Sequence, residues 1–361
     1  MGLEKRSVLV KESTVDSPKV EAVVKGSTVK PLDKPSRAFT TSSAQERLVG
    51  FLAASVFSLV YVLAPLHVLA SIACLLRWPT WWGTWAMIAP LIVSMLLPSS
   101  LVENLGPLVL SSWPMRQLPK YFSYEEYHEI TDSEIRKSGK NYIFGTHPHG
   151  VFSFAGVCAA VATSTAPDGF GADLCKEVPT AAASVIKVFP VLKDVLGIFG
   201  VIDASSNTLS KRLSGAKGSC LIYIGGMVEL FYSSPKREAV FLKGRKGFIK
   251  LALRTGADVI PIYMFGNTTV LCALTWGPLA SLSRTLGVSI TVFWGRFGLP
   301  LPKQVPITYA RGRPLGMPHI ANPSPEDVDK WHAIYCEKLV ELFDRYKGTN
   351  PDYKHKDLSI R

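Results

Sequence analysis

"RKGFIKLALRTGADVIPIYMFG", residues 245–266, changes its hydrophobic rhythm halfway along, and that change decides the fold. Up to Thr255 the apolar side chains Phe248, Leu251 and Ala252 fall on one helical face, and Gly256 stands where a helix is capped. From Ala257 to Gly266 a short continuous apolar run has the length of a buried strand. Three more runs of this kind, "NYIFGTH" (141–147), "SCLIYIGG" (219–226) and "SITVFWGR" (289–296), each end at glycine or a polar turn. Strand, helix and strand in succession predict an α/β protein whose sheet is flanked by helices. A last long helix starts at Ser324, with Pro325 in its first turn and Asp327 three residues on. Its apolar face runs through Val328, Trp331, Tyr335, Leu339, Leu342 and Tyr346, and nothing in it demands chemistry.

The chain has 361 residues, 40 Lys and Arg against 28 Asp and Glu, a formal charge of +12, and 47% hydrophobic residues. A basic and greasy chain points to a membrane surface and anionic ligands before nucleic acid. The six cysteines (Cys74, Cys158, Cys175, Cys220, Cys272 and Cys336) form no CxxC pair, so they read as free thiols in a reducing compartment.

Residues 1–46 are rich in Lys, Ser, Thr, Val and Pro and lack apolar periodicity, which predicts a disordered cytosolic tail. Across residues 48–76 the only strongly polar side chain is His67, enough to cross a bilayer core, which takes about 20 residues. A second apolar stretch, "WPTWWGTWAMIAPLIVSMLLP" (78–98), bunches Trp78, Trp81, Trp82 and Trp85 where an interfacial belt belongs. Residues 47–99 therefore read as a membrane-embedded helical hairpin ahead of a domain at 100–361. Basic residues are frequent before Arg47, reduced to Arg77 in the link, and resume at Arg116 and Lys120, which puts both flanks in the cytosol.

Two constellations can carry chemistry. In "YIFGTHPHGVFSF" (142–154), His147 and His149 stand two apart at the end of a strand, where an HxH pair can clasp a cation. The remaining histidines stand singly without companion ligands, so no metal site is assigned. A neutral imidazole can instead take a proton from an attacking hydroxyl near neutral pH. No GxSxG elbow occurs, so the hydroxyl would belong to the substrate. The second constellation is "LIYIGGMVELFYSSPKREAVFLKGRKGF" (221–248). Gly225 and Gly226 allow close backbone approach to a ligand, and Glu229 follows, suited to orienting an imidazole, binding a substrate hydroxyl or pairing with the basic run. Lys236, Arg237, Lys243, Arg245 and Lys246 read either as a solvated face or, beside a helix N-terminus, as a phosphate receptor.

These blocks, with "FWGRFGLPLPKQVPITYARGRPL" (293–315) and "NPSPEDVDKWHAIYCEKLVELFDRYKGTNP" (322–351), resemble in content and order the type 2 diacylglycerol acyltransferase family. The resemblance covers residues 100–350 and the preceding hairpin. It implies a glycerolipid-acyltransferase-like sheet and an endoplasmic reticulum enzyme facing the cytosol, with access to lipid-droplet surfaces. It implies acyl transfer from acyl-CoA, a co-substrate, to the sn-3 hydroxyl of diacylglycerol, with no cofactor and no covalent intermediate. Catalytic roles fall on His147, His149 and Glu229, and substrate contacts on Gly150, Gly225, Gly226 and the five basic residues. Self-association is left open. Monoacylglycerol or a wax alcohol is the alternative acceptor; a non-catalytic lipid-droplet hairpin protein and a metal hydrolase are the readings from other classes. One departure stands out: the wider superfamily pairs its histidine with an aspartate five residues on, and here Phe152 and Phe154 occupy those places. By position after the strand His147 resembles the superfamily base, with His149 in support or the roles reversed.

Overall fold

Twelve short strands appear in a computed structural model that describes residues 31–41, 43–215, 218–231, 238–274 and 292–361. In chain order they are β1 (Arg37–Ala38), β2 (Glu125–His128), β3 (Tyr142–His147), β4 (Thr180–Ala182), β5 (Ile202–Asp203) and β6 (Cys220–Tyr223). Then follow β7 (Glu238–Val240), β8 (Asp258–Phe265), β9 (Cys272–Ala273), β10 (Phe293–Trp294), β11 (Thr308–Arg311) and β12 (Leu358–Ile360). Eight of them form one sheet in the order β1-β2-β11-β8-β3-β6-β4-β5. β3 is parallel to both its neighbours, with His147 opposite Tyr263 and Thr146 opposite Tyr223. β4 is parallel to β6, so the carboxyl ends of β3, β4, β6 and β8 lie along one edge.

The alternation within β8 explains why it reads as continuously apolar. Ile260, Ile262 and Met264 enter one core with Phe122 and Phe154, while Val259, Tyr263 and Phe265 enter the other with Tyr335 and Phe343. Both faces of the strand are covered, so neither set of alternating side chains can be polar. The helix Gly247–Thr255 ends at Gly256 with φ +72°, and the helix Pro325–Tyr346 starts with a capping box between Ser324 and Asp327.

Ahead of the sheet, a 34-residue helix, Ala44–Arg77, is long and apolar enough to cross a membrane. It packs as a hairpin against the helix Trp82–Leu96: Met87 O accepts from His67 Nε2 at 2.8 Å, and Met87 Sδ lies 3.8 Å from Cys74 Sγ. The second arm has only 15 residues and then bends by 93° into the helix Ser99–Leu110.

Three expectations change. "SITVFWGR" contributes only β10, which pairs with β9 outside the main sheet; its residues 289–291 lie outside the described ones. β2 and β11, which carry half-polar sequences, join the sheet although the apolar runs did not mark them. Residues 1–30 of the expected tail lie outside the described residues, but Arg37 and Ala38 pair with β2, and Arg37 reaches Glu126 and the buried Asp132 at 3.1 and 2.9 Å.

Candidate active site

Three strand ends build the site. β3 ends in the HPHG turn, β6 runs on into Gly225, Gly226 and Glu229, and β8 is followed at once by Gly266 and Asn267. The crevice beyond the carboxyl ends of parallel strands is where α/β sheets bind their ligands, because side chains from separate parts of the sequence converge there.

Glu229, 1% exposed, holds the turn. Its Oε1 accepts from His147 Nδ1 at 2.9 Å and from the Phe241 amide at 3.3 Å, and its Oε2 accepts from the His149 amide at 2.8 Å. The two oxygens thus fix one ring and one peptide of the same turn. Gly225 is required for this approach: a Cβ there would lie 2.0 Å from Glu229 Oε1.

His147 is fully buried, and both its ring nitrogens are engaged. With Nδ1 on Glu229, its Nε2 lies 3.1 Å from the hydroxyl of Tyr335, which is also 3.2 Å from Gly145 O. Burial holds the Tyr335 phenol well above its usual range, so it remains a donor. Tyr335 belongs to the helix that the sequence assigned to packing alone.

His149 is arranged differently. Its Nδ1 lies 2.8 Å from Gly150 O, which selects the tautomer that donates there and leaves a lone pair on Nε2. Among the described residues Nε2 takes no partner, and the ring is half-buried with its centroid 4.9 Å from that of Tyr223. Burial lowers its pKa below the ordinary value of 6.5, against smaller upward effects of Gly150 O and Glu229. The imidazole is therefore neutral at physiological pH.

Asn267 fastens the turn from behind. Its Nδ2 donates to Pro148 O at 3.0 Å and His149 O at 2.9 Å, and its Oδ1 accepts from the Ala155 amide at 3.1 Å. Gly150, at φ +67°, lies so close that a Cβ would meet Asn267 Nδ2 at 2.9 Å. The first amides of the following helix Phe154–Thr165 are already engaged: Phe154 with Phe152 O, Ala155 with Asn267, Gly156 with Ser153 Oγ. Neither Asn267 nor Tyr335 was marked by the sequence; the only trace was Asn267 at the end of a buried strand.

The basic residues stand near this centre along the chain. Lys243, Arg245 and Lys246 follow within five residues of Phe241, whose amide touches Glu229, and they lead into the helix Gly247–Thr255, which has no side-chain cap. Lys246 pairs with Asp329 at 2.6 Å, and Arg245 stacks on Phe241 at 5.4 Å. Lys236 and Arg237 lie outside the described residues. Among the described residues no group of three His, Cys, Asp or Glu side chains is gathered for a metal ion.

A buried histidine turn at the carboxyl ends of parallel strands, joined to a helix long and apolar enough to cross a membrane, defines an α/β protein of acyltransferase-like build. The diacylglycerol acyltransferase family model matches residues 111–361, and the chain belongs to that family. It is 34% identical over 224 residues to human diacylglycerol O-acyltransferase 2, the match covering 58% of this chain and 57% of that one. Human 2-acylglycerol O-acyltransferase 3 is 33% identical over 227 residues, with 58% and 65% covered. Mouse acyl-CoA wax alcohol acyltransferase 1 is 32% identical over 239 residues, with 62% and 72% covered. The chain thus spans about 57% of the length of the human diacylglycerol relative. The solved 1-acyl-sn-glycerophosphate (LPA) acyltransferase of Thermotoga maritima aligns with a TM-score of 0.40 at 13% identity, covering 82% of this chain and 95% of that one.

Proposed function

We propose that this protein transfers a fatty acyl group from acyl-CoA to the sn-3 hydroxyl of diacylglycerol at the cytosolic face of the endoplasmic reticulum membrane, with access to lipid-droplet surfaces. The observation that carries the reading is a neutral His149 whose Nε2 takes no partner among the described residues, just past the end of β3, in a family of acyltransferases.

His149 is the general base. As the acceptor oxygen attacks the thioester carbonyl, its proton passes to Nε2; the C–S bond of the tetrahedral intermediate then breaks, and the proton passes to the departing CoA thiolate. No acyl-enzyme forms. His147 and Glu229 act through the turn: Glu229 anchors the His149 peptide and the His147 ring, and Tyr335 closes the far side of that ring. With the helix amides engaged, the oxyanion falls to backbone N–H groups at Gly225 and Gly226, Gly225 lying directly against the Glu229 carboxylate that binds the His149 amide. Lys243, Arg245 and Lys246 receive the CoA phosphates, joined by Lys236 and Arg237 from the adjoining segment. Gly150, in the left-handed region, lets the turn close onto Asn267 behind it and so helps shape the substrate-facing side.

The test is acyl transfer from labelled oleoyl-CoA in microsomes of a host without its own activity, offered diacylglycerol, monoacylglycerol and a long-chain alcohol in turn. Triacylglycerol as main product supports the reading. Wax ester or diacylglycerol as main product moves the acceptor to the corresponding relatives, and no product with any acceptor refutes acyl transfer.

A further inference from the structure

The long helix Ala44–Arg77 meets the site directly. Phe57 stacks on Phe152 at 5.6 Å between centroids, and Tyr61 lies 5.5 Å from the same ring, three residues after His149. Beyond this contact, residues 62–77 continue for roughly 24 Å, most of the thickness of a hydrocarbon core. Leu63, Leu66, Leu69, Ile72 and Leu76 are exposed along that length. Leu48, Leu52 and Val56 are exposed ahead of the contact as well, so the apolar stripe of the helix runs past the level of the HPHG turn.

Two further elements sit at this level. The returning helix Trp82–Leu96 covers about 22 Å of the same depth before the chain bends by 93°. The next helix, Ser99–Leu110, starts where the return ends and runs across it. Leu101, Leu105, Leu108 and Val109 are exposed on one arc of this helix, with Leu108 at 70%. Its inner side is pressed against the protein at Gly106, where a Cβ would stand 2.3 Å from Ile198 O. The short helix Ser184–Val188 follows β4 on the same sheet edge as His149, and it exposes Val185 and Val188, the latter at 70%, with Lys187 between them. Its level is tied to the end of the returning helix: Lys193 donates to Leu97 O at 3.1 Å, and the Val191 amide donates to Ser94 Oγ at 2.7 Å.

We propose that the helix Ser99–Leu110 lies in the plane of the membrane surface and, with the tip carrying Val185 and Val188, forms a lipid-contacting collar beneath the His149 turn. The occupant is the phospholipid leaflet. An apolar arc continuous with an apolar hairpin whose first arm is long enough to cross a bilayer, lying across its return arm and edged by Asn104 and Lys187, has the composition of an interfacial contact. The collar fixes the depth of the site, so an acceptor lipid reaches His149 without leaving the leaflet. This last consequence rests on the acyltransferase reading; the lipid contact itself does not.

The test uses the full chain in phosphatidylcholine vesicles with benzoylphenylalanine, a photo-crosslinker, at position 105, 188 or 250. Lys250 is exposed on the helix Gly247–Thr255, away from the hairpin contacts. Illumination should attach radiolabelled phosphatidylcholine at 105 and 188 at least about fivefold more than at 250. Equal labelling at all three positions, or adducts at 105 and 188 to a second copy of the chain instead of lipid, overturns the collar. In a second arm, Leu108→Glu with Val188→Glu should raise the apparent KM for bilayer diacylglycerol about fivefold or more while a dispersed short-chain acceptor is used as before. If lipid adducts form but wild type transfers no acyl group, the collar stands and the acyltransferase reading fails.

Discussion

Asn267→Ala removes the clasp behind the HPHG turn while leaving every residue that faces the substrate in place. Asn267 is 1% exposed and makes three hydrogen bonds, to Pro148 O, His149 O and the Ala155 amide. At about 0.5–1.5 kcal/mol net for each neutral bond, their loss costs about 2–4 kcal/mol. Glu229 still holds the opposite side of the turn through the His149 amide, so the turn loosens without detaching. If roughly half of the cost, about 1–2 kcal/mol, falls on the reactive placement of His149, kcat drops about 5- to 30-fold. The acyl-CoA contacts proposed above lie on another segment, so KM for acyl-CoA should stay within about twofold. The assay is acyl transfer in vesicles at matched protein levels, with acyl-CoA and acceptor varied separately. A kcat within twofold of wild type, or a change confined to KM, would refute the claim that Asn267 positions the base.

Three other expectations follow from the same geometry. Gly225→Ala places a methyl group 2.0 Å from Glu229 Oε1, so the carboxylate must move off the turn; acyl transfer should fall by at least about tenfold while the protein stays in the membrane fraction. The acid limb of the pH profile for kcat/KM should fall below the ordinary His value of 6.5, because burial lowers the pKa of His149. Activity is then present above the lowered pKa and lost as pH falls through it, and a limb at or above 6.5 would contradict the burial argument. Replacing Lys243, Arg245 and Lys246 together by Gln should raise KM for acyl-CoA several-fold and weaken its salt dependence, with kcat nearly unchanged, as measured in acyl-CoA titrations at two ionic strengths.

The sequence made the central strands and the helix between them legible because β8 is covered on both faces and its apolar run is unbroken. It concealed β2 and β11, where Glu125, Glu126, His128 and Arg311 interrupt the run; Glu126 and Arg311 are buried charged residues paired with the long-range partners Arg37 and Asp132. At the site, His147, His149 and Glu229 stood out by residue type, yet their roles did not. Which histidine keeps a free nitrogen depends on Tyr335, 188 positions from His147, and no local pattern carries that pairing. Asn267 was invisible for a similar reason, since a lone Asn after a strand has the look of an ordinary turn residue.

The most direct test exchanges each histidine for asparagine, whose side-chain amide can stand in for Nδ1 as a donor but offers no base at the position of Nε2. His147→Asn keeps a donor toward Glu229 and should retain activity within about tenfold, whereas His149→Asn keeps the bond to Gly150 O, loses the base, and should lower kcat by about 10²–10⁴. The opposite ranking, with His149→Asn active and His147→Asn dead in correctly inserted protein, would contradict the assignment of His149 as the base.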